Sequence, residues 1–141
     1  MKKIIHVLGA RPNFIKAAPL IKELNKLSNV DNLVLHTGQH YDHNMSQQFF
    51  DELNIPKPDY NLNAGGGGHA KQTADIMIGC EKIFQEKHPE FIIVYGDVNS
   101  CVAAAMVAKK LHINVIHIES GLRSYDRKMP EEINRVITDS I

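Results

Sequence analysis

Four short apolar runs punctuate the chain, each closed by glycine or a polar turn. Lys3 to Leu8 stops at Gly9, Leu33 to Thr37 at Gly38, Phe91 to Tyr95 at Gly96, and Val115 to Ile118 at Glu119-Ser120-Gly121. Their apolar positions are continuous rather than alternating, as in strands covered on both faces. Between them the period turns helical. After Pro12, a residue suited to a first helical position, Phe14, Ala17, Ala18, Ile21 and Leu24 share one face. Pro19 lies inside that pattern and predicts a kink. Met45 to Leu53 reads as a second helix, stopped by Pro56 and Pro58. Thr73, Ile76, Met77, Cys80, Ile83 and Phe84 mark a third, closed at His88-Pro89. The alanine-rich stretch Ser100 to Leu111 suits close approach to a sheet. A last helix starts near Pro130, with Glu131 and Glu132 in its first turn and Ile133, Val136 and Ile137 as its expected buried face.

Strand and helix in alternation predict an α/β domain, doubly wound on a mainly parallel, Rossmann-like sheet. The 141 residues fit one domain spanning 1–141. The final helical pattern reaches Ile141 without a stop signal, so the chain is expected to be a fragment of a longer protein.

Composition narrows the partners. Sixteen Lys+Arg balance sixteen Asp+Glu. With no net field, neither nucleic acid nor an anionic membrane is expected as a partner. No apolar run approaches the ~18 residues of a membrane span, and the apolar stretch after Lys2-Lys3 is too short for a signal peptide. Cys80 and Cys101 lack the spacing of a zinc or redox pair, and read as core residues of a cytoplasmic protein.

In open α/β sheets the ligand lies beyond the carboxyl ends of the strands, so the residues just after each run carry the candidate chemistry. At Gly9 to Lys16, a glycine turn, a helix start with free N–H groups, Arg11 and Lys16 together suit a phosphate or diphosphate; solvated cations and a plain turn are the alternative. Asp97 is either a helix cap or a carboxylate facing the cleft. Glu119 ends a buried strand, with Arg123 as its nearest partner in sequence. Glu131 is placed either to match the helix dipole and pair with Arg135, or to serve the cleft. Carboxylates in different environments suit acid/base work on a sugar, and the cations suit an anionic leaving group.

Other motifs carry less. Gly65 to Lys71 has Ala70 where a phosphate loop needs glycine and no strand before it, so it reads as a mobile loop. Gly9-Ala10-Arg11 is not a dinucleotide fingerprint. His40-Tyr41-Asp42-His43 lacks further ligands, so no metal and no cofactor are expected. Ser120 does not sit in a hydrolase elbow.

Gly9 to Leu20 (GARPNFIKAAPL), Thr37 to His40 (TGQH), Tyr95 to Ser100 (YGDVNS), His117 to Ser124 (HIESGLRS) and Pro130 to Arg135 (PEEINR) occur in an order and spacing that resemble the bacterial non-hydrolysing UDP-N-acetylglucosamine 2-epimerases. The resemblance covers the N-terminal half of that family. It implies a GT-B-type enzyme of two Rossmann-like domains, whose other half carries most of the UDP pocket and a histidine. It also implies reversible C2 epimerisation of a UDP-sugar through loss and re-addition of UDP. Asp97, Glu119 and Glu131 match the family's catalytic acids. Arg11 and Lys16 lie by the phosphates, Gln39 and His40 by the nucleotide, and Arg135 at the site. A homodimer serving cell-surface polysaccharide synthesis is expected, and residues 1–141 alone should be inactive. The stretch between Arg123 and Pro130 is shorter than in enterobacterial members, which leaves an epimerase of a UDP-diacetamido-uronic acid open. A glycosyltransferase of the same architecture and a non-catalytic nucleotide-sugar binding domain are the remaining alternatives.

Overall fold

The computed structural model describes residues 1–39 and 47–141. Strand and helix alternate as β1 (Lys2–Leu8), α1 (Arg11–Leu24), β2 (Val30–His36), α2 (Gln47–Leu53), β3 (Tyr60–Asn61), α3 (His69–Lys87), β4 (Phe91–Tyr95), α4 (Asn99–Lys110), β5 (Asn114–Ile118) and α5 (Pro130–Ser140). The five strands lie in the order β3-β2-β1-β4-β5. Every neighbouring pair is parallel. The order reverses between β1 and β4, which opens a crevice at their carboxyl ends.

The continuous apolar runs are explained by two cores, one per face. Ile5, Val7, Leu35, Ile92 and Val94 pack against Ile76, Cys80, Ile83 and Phe84 of α3 and the alanines of α4. Their strand neighbours Ile4, Leu8, Val34, Ile93 and Tyr95 pack against Phe14, Ala17, Ala18 and Ile21 of α1 and Phe49 and Phe50 of α2. Successive strand residues therefore serve opposite layers, and neither parity is left polar. His36 and His6 are the buried polar exceptions. His6 is fully buried on the α1 side, with Nδ1 at 2.8 Å from the Tyr95 hydroxyl and Nε2 at 3.2 Å from Asn32 Oδ1. Burial pushes its pKa down to about 4. Cys80 and Cys101 are free and buried, as expected of core residues, and burial pushes both thiols up to about 12.

α1 runs on through Pro19, as its face pattern predicts. Pro19 and Ile15, whose carbonyl loses its helical partner, both lie on the exposed side, where solvent can take up the orphaned oxygen. The two-residue strand β3 follows Pro56 and Pro58, where only a helix stop was legible. Residues 69–71 of the glycine-rich stretch already belong to α3, with Gly68 as its N-cap.

The largest correction is α5. Its expected buried face is turned outward, with Ile133 at 43% and Ile137 at 37% exposure. Glu132 and Thr138 are buried instead, and Arg135 and Asp139 are half-buried beside them. α5 docks by its polar side.

Candidate functional site

The turns after β1, β4 and β5 meet at the crevice. Gly9 lies against Ser100 at the start of α4. A Cβ on Gly9 would come within 2.8 Å of Ser100 Cβ and 3.1 Å of Gln39 Oε1. Ser100 is fixed there. Its N–H and hydroxyl donate to Gln39 Oε1 at 2.8 and 2.5 Å, and its Oγ lies 2.8 Å from Thr37 Oγ1. Gln39 is thus buried beneath the crevice rim, holding two turns together.

The start of α1 offers less than its sequence implied. The N–H groups of Gly9 and Ala10 donate to Asn13 Oδ1 at 3.0 and 3.2 Å, and Pro12 has none. A bound anion would therefore rely mainly on side chains. Arg11 is exposed, its guanidinium 4.9 Å from the centre of the Phe49 ring. Lys16 forms an ion pair with Glu119, both about two-fifths exposed.

This pair corrects one expectation. Glu119 takes a partner from α1, and Arg123 pairs instead with Asp139 at 2.6 Å. Glu119 itself holds φ +65°, a left-handed conformation that costs a residue with a Cβ roughly 1–2 kcal/mol. Its carboxylate lies over Gly96, where a Cβ would stand 3.6 Å from Glu119 Oε2. A Cβ there would make only ordinary contact with the acid; what favours glycine is φ +69°.

Asp97 follows Gly96. It is not the cap of α4: Val98 occupies that position, with no side-chain capping bond. Arg135 Nη2 donates to Asp97 Oδ2 at 2.6 Å, and Arg135 Nη1 to Glu132 Oε1 at 2.9 Å. The expected Glu131–Arg135 pair is thereby replaced. Three residues from Glu132 the guanidinium faces inward, whereas Glu131 is exposed and makes no ion pair or hydrogen bond among the described residues. Glu132 is 1% exposed. Burial pushes its carboxyl up, but Arg135 and the amides of Ser124 and Tyr125 outweigh this and hold it down at about 2. Asn134 Nδ2 donates to the Asp97 carbonyl at 2.8 Å and to Asn99 Oδ1 at 3.0 Å.

A second polar cluster adjoins this one. His117 Nδ1 lies 2.6 Å from Asp139 Oδ1, and its Nε2 2.7 Å from the Gly96 carbonyl. Asp139 Oδ2 accepts from the Gly121 N–H at 2.9 Å and from Arg123 Nη1. Burial pushes the Asp139 carboxyl up, yet the bonds from Arg123, Gly121 and His117 win and hold it below its ordinary value. Sequence offered Glu132 only as a first-turn acid and gave Asn134 and Asp139 no role, since they pass for surface residues of an amphipathic helix. His40 lies outside the described residues.

The structure thus brings together Lys16 with Glu119 and Asp97 with Arg135, around the crevice that Gly9 and Gly96 border. Comparison with known proteins identifies the family of the chain. Residues 22–141 match the family model described as UDP-N-acetylglucosamine 2-epimerase. The chain belongs to that family. The Methanocaldococcus jannaschii UDP-N-acetylglucosamine 2-epimerase is 51% identical over 139 residues, covering 99% of this chain and 38% of the relative. A crystal structure of the M. jannaschii enzyme, in complex with UDP-GlcNAc and UDP, superposes with a TM-score of 0.93 over 98% of this chain and 38% of that one. A UDP-2,3-diacetamido-2,3-dideoxy-D-glucuronate 2-epimerase of Pseudomonas aeruginosa is 46% identical, over 99% of this chain and 39% of its own length. The chain therefore spans under two-fifths of the length of these relatives.

Proposed function

We propose that the whole protein to which these residues belong interconverts UDP-N-acetylglucosamine and UDP-N-acetylmannosamine, and that this chain supplies one wall of the active site. The observation that carries this reading is the pairing of acids with cations at the crest of the sheet, Lys16 with Glu119 and Arg135 with Asp97.

The C2 hydrogen of such a sugar is not acidic, because no carbonyl neighbours it. Loss of UDP from C1 as C2 gives up its proton yields a glycal and avoids a bare carbanion. While the C1–O bond breaks, positive charge builds on the ring and negative charge on the departing diphosphate. Arg11 and Lys16 serve the diphosphate, with Arg135 at the site and Gln39 and His40 near the nucleotide. Asp97, Glu119 and Glu131 serve the ring, by charge and by proton transfer. Glu119 is paired with Lys16. A diphosphate that draws Lys16 away would leave the Glu119 carboxylate uncompensated beside the sugar. Re-addition of UDP after protonation on the opposite face inverts C2. The glycal must be kept from water, which a second Rossmann-like lobe in a GT-B arrangement would do by closing over the crevice. The whole protein is read as a cytoplasmic homodimer serving cell-surface polysaccharide synthesis.

The test is incubation of the full-length protein with UDP-N-acetylglucosamine in deuterium oxide. The expected result is both epimers with deuterium at C2. Binding without exchange would leave a nucleotide-sugar binding protein. The identity to the P. aeruginosa relative favours a second reading, an epimerase of a UDP-diacetamido-uronic acid. Parallel assays with both sugars separate the two.

A further inference from the structure

Glu119 keeps its left-handed conformation because something holds it there. The residues flanking it are tied to a single carboxylate. His117, two residues earlier, meets Asp139 Oδ1 through Nδ1 at 2.6 Å; Gly121, two residues later, donates its N–H to Asp139 Oδ2 at 2.9 Å. The His117 side chain is 8% exposed and that of Asp139 12%. Both nitrogens of the His117 ring face acceptors, so the ring also ties Asp139 to the Gly96 carbonyl at 2.7 Å. Gly96 directly precedes Asp97. Four residues before Asp139 on the same helix, Arg135 grips the Asp97 carboxylate at 2.6 Å.

From this geometry we infer that Asp139 is a positioning residue. Through Gly121 and His117 it locks the turn that aims Glu119, and through His117 it fixes the turn that carries Asp97. The two acids are thereby kept at a set spacing by one side chain that touches neither. The kinetic part of this inference rests on the function proposed above.

In the full-length enzyme, Asp139→Asn keeps the side chain's size but replaces an accepting oxygen with a donor. It should lower kcat roughly tenfold to 100-fold while KM moves less than about threefold, because aim is lost and binding is not. Combined with Glu119→Gln, it should cost clearly less than the product of the two single losses, since the part that runs through Glu119 is already gone and only the part through the Asp97 turn remains. A general structural role would instead shift KM as well and multiply with Glu119→Gln. Wild-type kcat in Asp139→Asn, or a multiplicative double variant, overturns the inference. If Asp139→Asn does not fold, His117→Gln serves the same purpose, since glutamine cannot bridge Asp139 and Gly96; the same kinetic pattern is expected and its absence is equally decisive. A crystal structure of the full-length Asp139→Asn protein gives a readout free of activity. Glu119 should leave positive φ or swing its carboxylate off Gly96. An unchanged turn refutes the clamp whatever the substrate is, whereas an inert wild-type enzyme refutes only the proposed reaction.

Discussion

α3 and α5 both pack against α4, yet they do so by opposite means. α3 presents Ile76, Cys80, Ile83 and Phe84 to the core, with Gln72 near its start as its one buried polar residue. α5 leaves Ile133 and Ile137 outside and presents Glu132, Arg135, Thr138 and Asp139. Apolar packing is non-directional, so α3 contributes burial and tolerates small shifts. Ion pairs and hydrogen bonds demand distance and angle. α5 therefore contributes position, and the turns it positions are those that carry Asp97 and Glu119.

This contrast can be broken by experiment. Phe84→Ala, in the apolar interface, should cost about 3–5 kcal/mol in urea unfolding. It should leave the kcat of the folded full-length enzyme near wild type; a large kcat loss in fully folded protein would erase the division of labour. Asp97→Asn should do the reverse, lowering kcat roughly 10²–10³-fold with little change in substrate affinity or melting temperature. Equal activity with wild type would remove Asp97 from the chemistry.

His6 sharpens the comparison, because it is a polar group inside the apolar half. Its pKa of about 4 when folded lies below the ordinary 6.5. The unfolded chain therefore takes up a proton first as pH falls. The associated stability is complete above pH 6.5 and is lost between 6.5 and about 4, by about 3 kcal/mol. Melting temperature followed across that range should show the loss, and His6→Gln should reduce it to the part due to His36, whose pKa burial also lowers. Glu132 adds a further decline below its ordinary value of 4.5, towards about 2. The smallest effect belongs to the outer face of α5. Ile137→Thr should change the unfolding free energy of residues 1–141 by less than about 0.5 kcal/mol. A larger cost would mean that this face is covered.

The α/β order, the strands and the inward faces of α1 and α3 were legible because burial writes a period into the sequence. The face of α5 was not. Its isoleucines recur at helical spacing, and nothing local reveals that Glu132 and Asp139 have buried partners waiting. The ion pairs failed for a related reason. Sequence favours near neighbours, such as Glu119 with Arg123, but the pairs that form join residues 103 and 38 positions apart. Strand β3, at two residues, is too short to carry a pattern. The candidate acids at 97 and 119 were found because strand ends in this architecture face the crevice. Their partners and the clamp behind them became visible only in three dimensions.

Gly9 has a consequence for how this protein can vary. Ser100 stands where any side chain at position 9 would go, and it is bonded to both Gln39 and Thr37. Even the smallest substitution must therefore prise α4 from the turn after β1, so a saturation library selected for folding alone should return an almost blank column at this site while exposed Arg11 accepts replacements.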